Sequence, residues 1–61
     1  MYRFVIAKHV EGQLVYVSLS GVTRDDRKAC IYTGRAAATE TLQRMQQEFP
    51  ITLAGYSLVQ V

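Results

Sequence analysis

Sixty-one residues with a net charge of +2, seven Lys/Arg against five Asp/Glu, allow one domain (1–61) near the lower size limit for a single core. They also argue against a dedicated nucleic-acid binder, which would be more basic and would concentrate its charge. An apolar fraction of 49% with 20% charged residues excludes a disordered composition.

The first predicted elements are two strands. Residues 2–8 (YRFVIAK) and 14–20 (LVYVSLS) alternate with period two, and Glu11-Gly12 between them carries turn chemistry. With those two residues as the turn, Val10 faces Gln13, and pairing runs back through Ile6–Val17 and Phe4–Leu19. One face then collects Phe4, Ile6, Val15, Val17 and Leu19, with Lys8 at its edge. The other collects Arg3, Val5, Ala7, His9, Leu14, Tyr16, Ser18 and Ser20. Such sorting is what a half-buried antiparallel sheet requires.

In TRDDRKA, Thr23 with Asp26 three residues on resembles a helix-capping arrangement, which predicts one helical turn or a tight loop. ACIYT reads as a brief edge strand or an extended lead-in, and Thr33 as the N-cap of a helix. From Gly34 to Phe49 the period changes: Ala38, Leu42, Met45 and Phe49 form one narrow helical stripe. Glu40–Arg44 and Arg44–Glu48 add i,i+4 pairs, and Pro50 ends the helix. The tail ITLAGYSLVQV predicts a last strand with a bend or bulge at Gly55. It returns beside the first strand, with Val59 and Val61, rather than Tyr56 and Leu58, towards the helix. The expected fold is α+β and two-layered. An antiparallel sheet of three to four strands carries one helix on one face, in the order β-β-(β)-α-β.

This order, with GVTRDDRKACIYT before an alanine-led helix, resembles a loose class of small uncharacterised phage and prophage proteins. Thr23, Asp25 or Asp26, Ala29, Tyr32, Thr33 and Ala37 fall where that pattern places them, while Val22 stands where the class often has tryptophan. The resemblance implies a phage- or prophage-type accessory protein and carries no catalytic residues over.

Residues that could bear chemistry read more simply as structure. His9, the only histidine, is expected to be solvated near the turn, since a general base needs an oriented partner. Cys30, the only cysteine, excludes an intrachain disulfide, points weakly to a reducing compartment, and is expected to be at least partly buried. No Cys/His pair can hold structural zinc, and Asp25-Asp26 lack the loop of a calcium site. The scattered glycines form no phosphate-cradling motif, and Gly34-Arg35 is a generic helix start rather than an anion site. No cofactor or metal is expected. Neither a signal peptide nor a span of about 20 apolar residues is visible, so a cytoplasmic protein is expected.

Three functional readings remain. The favoured one is a non-enzymatic module acting through protein–protein contact, as a homodimer or with an unidentified partner. Its contact would be an exposed edge strand or the outer sheet face of Arg3, Val5, Ala7, His9, Leu14 and Tyr16, which looks too apolar for comfortable exposure. The second is a weak nucleic-acid binder using Arg3 and Tyr16 with a basic patch of Arg24, Arg27 and Lys28. The third is a small regulatory subunit that docks Arg35, Thr39, Gln43 and Gln46 on a larger enzyme. Autonomous catalysis is not expected, because no nucleophile–base–orienter set is visible.

Overall fold

Period-two alternation in the first third of the chain is realised as a strand pair. In the computed structural model, which describes residues 2–61, β1 (Arg3–Val10) and β2 (Gln13–Ser18) pair antiparallel. Val10 stands opposite Gln13, His9 opposite Leu14 and Ala7 opposite Tyr16, the register the sequence predicts. Glu11 (φ 52°) and Gly12 (φ 82°) both take left-handed conformations, as in the primed turns whose twist matches the flanking strands.

Below Tyr16 the two strands part, so the expected Ile6–Val17 and Phe4–Leu19 pairs do not form. β2 instead continues into β3 (Gly21–Thr23), which folds back along its far side with Val17 opposite Val22. A 3₁₀ turn at Asp26–Lys28 follows. Its cap is Asp25 rather than Thr23: the Asp25 carboxylate accepts from the Arg27 N–H at 3.0 Å, while Thr23 Oγ1 accepts from the Asp25 N–H at 3.1 Å. The chain then enters the gap in the hairpin. Ala29 bridges Ser18, the Cys30 N–H donates to the Val17 carbonyl at 3.0 Å, and β4 (Tyr32–Thr33) pairs with Phe4 and Arg3. Residues 29–33 are therefore a wedge between β1 and β2, not an edge strand.

α1 (Arg35–Glu48) starts without the expected Thr33 cap. Thr33 is committed to β4, and Gly34 makes the turn at φ +86°, with its N–H donating to the Tyr2 carbonyl at 2.9 Å. Pro50 forces Phe49 out of helical geometry (φ −130°, ψ 65°) and ends α1 as expected. Residues 50–55 form successive turns rather than strand, and only β5 (Ser57–Gln60) is extended. β5 lies along the free side of β1, with Ile6 opposite Leu58 and Ala7 opposite Ser57. Ala7 thus has a partner on both sides, which makes β1 the central strand. The class is α+β, five strands and one helix in the order β-β-β-β-α-β.

The core lies between the sheet and α1. Ile6, Val15 and Val17 are buried with Leu53 and Tyr56, and Leu42, Met45, Leu58 and Tyr32 close against them. The two apolar sets do meet, with two exceptions at their ends: Leu19 is 98% exposed and Phe49 is half-exposed. The last strand faces opposite to expectation. Leu58, opposite Ile6, joins the core with Tyr56, while Val59 stands opposite Val5 on the outer side. Side chains alternate along a strand, so this single register fixes all of them.

Candidate functional site

Two surfaces stand out, one on each side of the sheet. The first arises because α1 packs over β1, β4 and β5, leaving the β2–β3 half of the helix-facing side without a helix above it. Leu53, from the turns after α1, covers part of that half. The rest opens as an apolar groove of about 460 Å³, whose walls include Val17, Leu19, Val22, Met45, Phe49 and Leu53. Leu19 stands out from the β2–β3 turn at one lip. Beyond Phe49 lies Ile51, which is 91% exposed. Exposed leucine and isoleucine side chains thus lie near an open apolar groove.

The second surface is the outer sheet face. The register places Arg3, Val5, Ala7, His9, Leu14 and Tyr16 on this one side, as the sequence implied. The reason for expecting a contact there does not survive. Val5 is 3% and Ala7 0% exposed in the single chain. Both are small residues of the central strand, flanked by partners such as Val59, Ser57 and Tyr16, and cross-strand neighbours take up the surface of such residues. Arg3 and His9 are exposed, and Leu14 and Tyr16 half-buried. Near the turn this face holds a broad recess of about 580 Å³, bounded by His9, Gln13, Leu14, Tyr16, Arg24 and Asp26.

The basic patch is not a single feature. Arg24 donates to Gln13 Oε1 at 3.2 Å. Arg27 turns back onto Asp25, with Nε 3.2 Å from Oδ1 and Nη2 3.3 Å from Oδ2. Hydrogen bonds from the Arg27 side chain, then from its backbone N–H, hold the Asp25 carboxyl below its ordinary 3.8. Lys28 is exposed beside them. Among the described residues that ion pair forms, whereas Glu40–Arg44 and Arg44–Glu48 do not close.

Cys30 is half-buried, as expected. Burial, and then the neighbouring Cys30, raise the Tyr32 phenol above its ordinary 10.0. On the helix, Arg35 lies over the Phe4 ring at 5.0 Å. Gln46 Nε2 donates to the Leu53 and Tyr56 carbonyls at 3.1 and 3.2 Å. Two of the four residues expected to dock are thus engaged within the chain. Among the described residues no cluster of three His, Cys, Asp or Glu side chains is placed to hold a metal, and no helix is long and apolar enough to cross a membrane.

Sequence reasoning missed the groove because it placed Leu19 and Phe49 inside the core. The signal that could have found it is number: a single helix is about 10 Å across, lies over about two strands spaced about 4.8 Å apart, and cannot cover both halves of this sheet. No protein-family model, curated protein or solved structure matches the chain.

Proposed function

We propose that this chain is a non-enzymatic, cytoplasmic interaction module of the phage- or prophage-accessory kind, acting through protein–protein contact and pairing with a second copy of itself. The contact is the groove between α1 and the β2–β3 turn, not the outer sheet face. Full exposure of Leu19 at the lip of an apolar groove carries this reading.

A second copy suits the surface for three reasons. A two-fold interface needs a knob and a recess on one patch, and Leu19 stands beside the recess that an identical leucine from the other copy can enter. The edge of β3 away from β2 has no strand partner among the described residues, so backbone pairing can extend the contact. A domain of this size has little core of its own, and association supplements it. The lone, half-buried Cys30 agrees with a reducing compartment.

Sedimentation across a concentration series tests the proposal. The wild-type chain is expected to move from monomer to dimer, and Leu19→Glu to stay monomeric at every concentration. Leu19 contacts little in the single chain, so L19E should unfold within about 0.5 kcal/mol of wild type when both are monomeric. A wild-type monomer at the highest concentrations, or an L19E dimer as tight as wild type, overturns it.

A further inference from the structure

The recess on the outer sheet face is built independently of the groove, and its chemistry differs. Pairing sets His9 beside Leu14, and Tyr16 opposite Thr23, the last residue of β3. Arg24 follows at once and is anchored by its bond to Gln13. A guanidinium carries five N–H donors. One of Arg24's is spent on Gln13, and among the described residues no carboxylate pairs with it. Arg27, three residues on, has by contrast turned its charge back onto Asp25. The recess therefore combines an aromatic ring, an apolar neighbour, an imidazole and an unspent cation, with one carboxylate, Asp26, on its rim.

We infer that this recess binds one nucleoside monophosphate unit, either free or within a single strand. The base stacks on Tyr16 beside Leu14, and the phosphate is held by Arg24. Stacking on an aromatic side chain tolerates any base, and an arginine fork matches phosphate oxygens. The recess is broad, open and mostly polar, which suits a nucleotide held on one face rather than an enclosed ligand. Asp26 sets the selectivity. Its charge, two residues from Arg24, opposes a second and third phosphate on the same ligand, while the smaller uracil ring stacks less well than adenine.

The test is a titration of the ¹⁵N-labelled monomeric variant L19E at low salt with AMP, UMP, ATP and a ten-residue oligoadenylate. The expected result is saturable shifts in residues 9–16 and 24–26 with AMP, weaker ones with UMP, and no gain in affinity with ATP. Arg24→Gln and Tyr16→Leu, the second keeping bulk without an aromatic face, should each weaken binding about tenfold, while Arg44→Gln on the helix leaves it unchanged. If the oligonucleotide binds with the same footprint and far more tightly than AMP, the unit belongs to a strand; equal affinity per unit assigns a free nucleotide. Absence of saturable shifts with both AMP and oligonucleotide, ATP binding tighter than AMP, or binding indifferent to R24Q and Y16L in well-folded variants overturns the assignment. None of these outcomes bears on whether the chain dimerises.

Discussion

Glu11 occupies the first position of a turn that needs a left-handed backbone (φ 52°). A side chain with a Cβ adopts it at a cost of about 1–2 kcal/mol. Asparagine bonds locally there and heads the favoured Asn-Gly pair. Glu11→Asn is therefore expected to stabilise the chain by about 0.5–1 kcal/mol in urea unfolding; an unchanged or lower midpoint refutes the turn geometry.

Asp25 shows the same scale through charge. Its folded pKa lies below 3.8 because Arg27 bonds it through both side chain and backbone. A depressed acid contributes stability above its unfolded value, and that contribution is lost as pH falls through the folded value. An NMR titration of the carboxyl carbon should give a midpoint below 3.8. In Arg27→Gln it should recover only partly, since the backbone N–H remains. A wild-type midpoint at or above the ordinary value removes the cap. The residue types TRDDR announced a capped turn; which side chain bonded which N–H required the fold.

At the scale of elements, the turns after α1 behave as a second cover for the sheet. Leu53 is buried in the core. The segment is tied down by Gln46, by the Lys8 ammonium on the Ala54 carbonyl at 3.2 Å, and by that ammonium over the Tyr56 ring at 5.1 Å. Leu53→Ala should cost about 2–5 kcal/mol, most of what a domain this small possesses. Gln46→Ala should cost about 1–2 kcal/mol. Urea unfolding that ranks the two variants the other way contradicts this packing.

Sequence pattern handled the elements unequally. The hairpin and the helix were legible because each repeats one period over many residues. ITLAGYSLVQV was read as a last strand bent at Gly55; Gly55 does turn, at φ 82°, but the residues before it turn as well, so strand begins only at Ser57. Thr33 was read as a cap because threonine suits one, yet pairing with Arg3 claimed it first.

At the scale of the whole molecule, one helix over a five-stranded sheet leaves part of one face uncovered. The groove at Leu19 and the recess at Tyr16 sit on opposite sides of that sheet. The proposed dimer predicts a wild-type melting temperature that rises with concentration, as mass action requires, and no such rise in L19E; a wild-type melting temperature independent of concentration contradicts it. Both surfaces join segments distant in sequence: Leu19 with Phe49, and His9 with Arg24.

Hydrophobic alternation and helical spacing were enough, without coordinates, to establish two layers, the hairpin register and the faces of Ile6 and Met45. These rest on local geometry: a strand inverts every residue, and a helix returns every 3.6. Tertiary structure alone decided that residues 29–33 split the hairpin, that Leu58 rather than Val59 turns inward, and that Val5 is covered while Leu19 is not. Each of these depends on where the helix and the last strand come to rest. That position is set by competition among many contacts of similar size, and no short stretch of chain encodes its outcome.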